Sequence, residues 1–159
     1  MPFSLPANFN PGDSYTNVHA NNVAAAINAL VNGAATAVVN TLETTTSTSY
    51  TDLATTTDQV TVTIGQSGLA IVLIHATIIN TGLYYGYVSL SLSGANTQAA
   101  STQLGLVFVP AYANWISQSG DAFALPGLNP GSTTFKLKYQ VQGGTGTFGN
   151  RRLTVIPFP

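Results

Sequence analysis

From Gln59 onward the chain alternates apolar and polar residues with a period of two, again and again, between short runs of Gly, Pro, Asn and Ser. Val60, Val62 and Ile64 alternate with Thr61 and Thr63. Val88, Leu90 and Leu92 alternate with Ser89, Ser91 and Ser93. Phe135, Leu137, Tyr139 and Val141 alternate with Lys136, Lys138 and Gln140. A strand sends successive side chains to opposite faces, so this pattern buries one face and hydrates the other. The segments LAIVLIHATIIN, TQLGLVFVP, DAFALPG and FGNRRLTVIPF, with a short strand near Tyr50, bring the expected total to about eight. LAIVLIHATIIN is apolar on both faces, as a central strand covered on both sides would be. About eight antiparallel strands in one unit predict a mainly β fold, a jelly-roll-like β-sandwich over residues 50–159.

The first third of the chain reads differently. Residues 1–15 contain Pro2, Pro6 and Pro11, which exclude helix interior, and Phe3, Leu5 and Phe9 give this extended arm apolar teeth. The arm either folds back on its own domain or docks on a neighbouring protein. It has neither the cationic region nor the continuous apolar stretch of a signal peptide, so synthesis and retention inside a cell are expected. In residues 16–40 the positions Ala20, Val23, Ile27, Leu30, Ala34 and Ala37 are spaced 3, 4, 3, 4, 3, an a/d seam with Asn21, Asn22, Asn28 and Asn32 elsewhere. This predicts a short helical stem whose stripe bundles with copies of itself or packs on the β domain; Gly33 is either its stop or a weak spot. His19 sits beside the seam and reads as a solvated helix residue. Residues 41–49, TLETTTSTS, read as a Thr/Ser linker.

Charge narrows the function. Only 6% of residues are charged, against about 25% in an ordinary soluble domain. A net charge of −1 gives no electrostatic case for nucleic acid or an anionic membrane, and the longest apolar run is too short for a spanning helix. A surface of Thr, Ser, Asn, Gln and Gly suits a chain that meets other copies of itself, because few ions are desolvated. The four cations, Lys136, Lys138, Arg151 and Arg152, all lie in the last 25 residues. The lysines share the polar face of one strand, where they discourage edge-to-edge aggregation. Arg151 and Arg152 are adjacent, so on a strand they point to opposite faces and cannot form one phosphate clamp. At least one is expected to pair with an acid such as Asp52, Asp58 or Asp121, in its own subunit or the next.

The inventory for catalysis is thin. There are no cysteines, two histidines and five acids, of which Glu43 falls in the linker and Asp13 in the arm. No pair of ionisable groups is set up for acid–base work, no metal-ligand spacing occurs, and GGTGTFG lies between strands as a hairpin loop, not before a helix as a phosphate loop would. His75 reads as a core histidine. No enzymatic activity and no cofactor are expected. Trp115, Tyr84, Tyr85 and Tyr112 fall near strand ends, where aromatic faces either stack on a host-surface glycan or serve as core or subunit interface.

Two stretches resemble a known family. SYTDLATT, with Tyr50 to Ala54, and the close LNPGSTTFKLKYQVQGGTGTFGNRRLTVIPFP resemble a C-terminal β-sandwich domain of tailed-bacteriophage virion proteins, actinobacteriophage ones especially. The matching elements of the close are Leu137 to Tyr139, Gly143 to Thr145, Thr147–Phe148, Asn150–Arg151 and Val155 to Pro157. The resemblance covers roughly residues 48–159 and implies a non-enzymatic, commonly trimeric virion module of the minor tail, fibre or capsid decoration type. Tail fibres place such a module after a far longer chain, whereas only about 47 residues precede it here. The expectation is therefore a homotrimeric capsid decoration protein whose partners are itself and the major capsid protein or another virion protein. The alternative is a minor tail or fibre-tip protein that binds host glycan.

Overall fold

The computed structural model describes residues 17–159, with side chains described from Ala20 on. The docking arm with Phe3, Leu5 and Phe9 lies outside the described residues, as does Asp13. One helix, α1 (Asn17–Gly33), precedes nine strands: β1 (Ala35–Val39), β2 (Glu43–Thr45), β3 (Gln59–Ile64), β4 (Ala70–Asn80), β5 (Gly86–Gly94), β6 (Gly105–Phe108), β7 (Ile116–Leu125), β8 (Gly131–Val141) and β9 (Gly146–Pro157).

The strands form two antiparallel sheets, a jelly-roll-like β-sandwich. One sheet runs β1-β9-β4-β7, and β2 continues its edge along β9; the other runs β3-β8-β5-β6. The period-two pattern explains the layering. Val60, Val62 and Ile64 of β3, Val88, Leu90 and Leu92 of β5, and Phe135, Leu137, Tyr139 and Val141 of β8 all turn inward, where they meet Val72, Ile74, Ile78, Phe148, Leu153 and Val155 of the facing sheet. Each such side chain contributes about 1.5–3 kcal/mol on leaving water. Cross-strand threonine pairs, Thr36–Thr154 at 2.9 Å and Thr61–Thr134 at 2.7 Å, tie the outer faces. At Gly105 a Cβ would stand 2.0 Å from the Val88 carbonyl oxygen, so the approach of β6 to β5 requires glycine there.

The N-terminal boundaries differ from the sequence expectation. The helix stops at Gly33, and residues 35–39 pair with Val155 to Arg151 of β9 instead of extending the seam. Ala35 and Ala37 pack against the core as alternate residues of a strand. The supposed linker also belongs to the sheet: Glu43, Thr44 and Thr45 pair with Phe148, Thr147 and Gly146. The cause is β9. At 12 residues it offers a long hydrogen-bonding edge, and β-branched Thr and Val fill it. Near Tyr50 there is only an isolated bridge, Thr51 to Tyr139, not a strand.

Strand β4 is central, between β9 and β7, and the described residues cover it on one side only. Val72, Ile74, Ala76 and Ile78 are buried, whereas Ile71, Leu73, His75 and Ile79 on the other side remain partly accessible. A bulge lies between His75 and Thr77 where β4 meets β9.

Candidate functional site

Three features stand out from the sandwich: a buried ionic cluster, an aromatic end, and two uncovered apolar surfaces.

The cluster centres on Arg151, whose side chain is fully buried. Period-two alternation on β9 turns Arg151 inward and Arg152 outward. Arg151 Nη1 donates to Asp58 Oδ2 at 3.0 Å and Nη2 to Glu43 Oε2 at 2.7 Å. The Tyr139 hydroxyl donates to the same Asp58 oxygen, and the guanidinium lies 5.3 Å from the centre of the Tyr139 ring. The other Glu43 oxygen accepts from the Thr55 amide at 2.8 Å and its hydroxyl at 2.5 Å. Burial pushes the Glu43 carboxyl up, but the Thr55 hydrogen bonds and the Arg151 charge overcome this and hold it below its ordinary 4.5. For Asp58 burial outweighs Tyr139 and Arg151, and the carboxyl lies above its ordinary value. Tyr139 is raised, first by burial and then by the Asp58 charge. The cluster clamps β2 and the lead into β3 onto β9 and β8. One guanidinium thus serves two carboxylates, with its Nε left without a hydrogen-bond partner, and the cluster acts as a structural clasp.

The two lysines are partly accessible and share one acid. Lys136 and Lys138 on the outer face of β8 both contact Asp52 Oδ1, at 3.0 and 2.8 Å. Burial raises the Asp52 carboxyl, but the two ammonium groups hold it below its ordinary value. His75 is not in the core. It is half-buried on the outer face of the β1-β9-β4-β7 sheet, with Nδ1 3.0 Å from the Asn150 carbonyl oxygen. Thr77 and Asn150 share this irregular stretch, so the bulge beside His75 accounts for the carbonyl it meets. Among the described residues no group of three or more His, Asp or Glu could hold a metal ion, and no helix is long and apolar enough to cross a membrane.

The four aromatic residues marked in the sequence gather at one end. The Asn114 amide donates to the Asn80 carbonyl at 2.8 Å, which brings the β6–β7 loop to the β4–β5 turn. Asn80 Nδ2 donates to the Gly143 carbonyl at 3.0 Å and fixes the β8–β9 turn beside them. Tyr112 stacks on Trp115 at 5.2 Å with an interplanar angle of 7°. Tyr84 lies over Gly143 and Gly144, where a Cβ would meet its ring at 3.0–3.1 Å. Tyr85 meets Tyr87 edge-on at 6.4 Å. Trp115, Tyr112 and Tyr84 thus each spend one face on the protein, and Tyr84, Tyr85 and Tyr112 remain exposed.

Apolar side chains are exposed on two surfaces. Along α1 the seam residues Ala20 and Ile27 are exposed, with Ile27 at 55%, Val23 and Leu30 are half-buried, and Val31 beside the seam is 66% exposed. Ala34 lies past the helix and is exposed. The helix approaches β9 at its end, where Gly33 sits against Pro157. On the sheet, the outer face presents Val38, Leu73 and Ile116 with half-buried Ile71 and Ile156. Sequence reasoning missed this face, because an apolar outer row on β4 reads the same as a second buried row.

No protein-family model and no curated sequence matches the chain. Solved structures do resemble it. Eiger TNF from S. frugiperda matches at TM-score 0.52 and 15% identity, over 79% of this chain and 92% of that one. Infectious bursal disease virus, Gx strain, matches at TM-score 0.44 and 12% identity, over 78% of this chain and 31% of that one. The enzymatically active domain of tailspike protein 4 of bacteriophage CBA120 matches at TM-score 0.36 and 11% identity, over 77% of this chain and 19% of that one. At 15% identity the likeness to the Eiger TNF structure is one of fold alone.

Proposed function

We propose that the chain is a non-enzymatic structural protein of a bacteriophage virion, a homotrimer that decorates and reinforces the capsid surface. The observation that carries this reading is the apolar side chains that the described residues leave exposed, on the stripe of α1 and on the outer face of the β1-β9-β4-β7 sheet. Apolar side chains left exposed on a helix and on a sheet face are candidates for an assembly surface. The low charge supports it, since self-association then desolvates few ions. The closing motif from Leu137 to Pro157, which resembles that of phage virion modules, supplies the virion and the three-fold symmetry. The ionic clasp, a buried arginine held between two carboxylates, suits a role in rigidity.

A second reading, a minor tail or fibre-tip protein, is favoured by the aromatic end. Tyr84, Tyr85, Tyr112 and Trp115 lie together among uncharged hydrogen-bonding groups, a chemistry that fits a host-surface glycan.

One binding experiment separates the two. The intact protein and a variant lacking residues 2–12 are mixed with purified capsids and with host cells, then sedimented. Decoration predicts that the intact protein coats capsids and the truncated one does not, since three arms held by one trimer add through effective concentration. An intact protein that ignores capsids and binds cells replaces decoration with the tail-tip reading.

A further inference from the structure

One stretch of the chain is held to the sandwich by charge more than by apolar contact. All four ion pairs found among the described residues join residues 43–58 to β8 or β9: Glu43 and Asp58 to Arg151, and Asp52 to Lys136 and Lys138. In the same stretch Leu53 is the one residue that joins the buried apolar core. A segment with so few buried apolar contacts sits at the low end of local stability.

The stretch has a fixed root. Arg151 grips both of its ends at once, Glu43 at 2.7 Å and Asp58 at 3.0 Å, and the Thr55 amide and hydroxyl donate to the other Glu43 oxygen. These contacts close residues 46–54 into a loop stapled at its base. The loop lies along β8. Strand β3 pairs with β8 only as far as Lys136, and beyond that point the loop takes its place. The Tyr139 amide donates to the Thr51 carbonyl and the Thr51 amide to the Tyr139 carbonyl, both at 2.9 Å, and the Val141 amide donates to the Ser47 carbonyl at 2.9 Å. Gln140 Nε2 donates to the Thr48 carbonyl at 2.7 Å.

The two sets of charges differ in their exposure to salt. Arg151 is fully buried, and Glu43 and Asp58 have little accessible surface. The Asp52 side chain keeps 37% of its surface accessible, and Lys136 and Lys138 keep 22% and 25%. The screening length falls from about 10 Å at 0.1 M salt to about 3 Å at 1 M, which weakens accessible pairs and acts much less on buried ones. The root is therefore salt-resistant and the Asp52 contact salt-sensitive.

We infer that residues 46–54 form a flap over the edge of β8, hinged on the Arg151 staple and latched by Asp52, which opens while the sandwich stays folded. Opening frees the Tyr139 amide and carbonyl and the Val141 amide, and it withdraws Leu53 from the core. The lost main-chain bonds and the exposed leucine keep the open form the minor one. The freed groups are an unpaired strand edge, the kind a fold keeps covered against pairing with other chains, and the Asp52 latch sets how often it is bared.

Hydrogen–deuterium exchange of the full-length protein at pH 7, read by mass spectrometry in 0.1 M and 1 M sodium chloride, tests the flap. Peptides covering residues 46–54 should exchange faster in 1 M salt, while those from β4 and β5 keep their protection. Asp52→Asn should speed exchange of the flap about 2- to 10-fold in low salt, the scale of two partly exposed ion pairs, and abolish its salt response. Lys136→Gln with Lys138→Gln should reproduce this effect, and adding both to Asp52→Asn should change nothing further, because all three act through one contact. The β4 and β5 peptides also report that each variant is folded. A flap that exchanges only in step with β4 and β5 has no opening of its own, and that result overturns the inference. So does a flap whose rate Asp52→Asn leaves unmoved, or whose salt response survives that substitution.

Discussion

Replacing Arg151 by alanine tests the clasp. The guanidinium is fully buried, and it faces Asp58 at 3.0 Å and Glu43 at 2.7 Å, both with little accessible surface. Its removal leaves two carboxylates in the protein interior with one tyrosine hydroxyl and the Thr55 donors between them. Breaking a buried pair by deleting one partner costs about 3–5 kcal/mol, because the surviving charge stays desolvated. The Arg151 stem also leaves a void against Tyr139, which adds to the loss. For a protein of this size each kcal/mol is worth roughly 2–4 °C, so Arg151→Ala should melt about 6–20 °C below the parent at pH 7. Melting is followed by circular dichroism at one fixed protein concentration, because assembly makes the midpoint concentration-dependent. The deficit should shrink as pH is lowered toward 5, since buried carboxylates without a cation take up protons to relieve their desolvation. A drop of less than about 3 °C, the scale of a surface pair, would refute the reasoning.

Acid should destabilise the parent protein. Glu43 and Asp52 are held below their ordinary 4.5 and 3.8, so their contribution is full above those values and is lost as pH falls through the lower folded ones. Asp58, raised, acts with the opposite sign and partly offsets the loss. Melts from pH 7 to pH 3 should therefore fall below about pH 4.5, and a flat profile would contradict the assignment. Gly105→Ala places a methyl 2.0 Å from the Val88 carbonyl oxygen and should cost about 1–3 kcal/mol by denaturant titration as β6 shifts away from β5. Ile27→Asp, on the exposed stripe of α1, should leave the β-sheet signal intact and lower the oligomer mass in sedimentation equilibrium. An unchanged mass would remove the helix from the assembly.

The parts of the fold legible in the sequence are those whose signal is local. The alternation of Val60 to Ile64, Val88 to Leu92 and Phe135 to Val141 named the inward and outward faces, because a period of two maps directly onto a pleat. The helix boundary is hard to place from sequence because Ala34 and Ala37 extend a 3-4 spacing by coincidence. Ala35 and Ala37 also satisfy a period of two, and Gly33 was the better signal. Glu43 was placed in a linker because its partner, Arg151, is 108 residues away, and nothing local in TLETTTSTS announces a buried ion pair. The only hint was a single acid in a run of threonines. That adjacent Arg151 and Arg152 point to opposite faces followed from strand geometry, whereas which acid each meets depended on long-range packing. The sequence suggests a core His75 because an exposed apolar row cannot be told from one buried within the chain. The meeting of Tyr84, Tyr85, Tyr112 and Trp115 came from three turns joined through Asn80, a product of topology with no trace in spacing.

The central claim, a trimer that decorates a shell, is tested most directly by a reconstruction of the whole virus particle that carries this protein. The account predicts three copies of the β-sandwich around a three-fold axis on the outer capsid surface, with the residue 1–15 arms directed into the junctions between capsomers. Density for the sandwich confined to the tail tip, or lying on the capsid as isolated single copies, would contradict it.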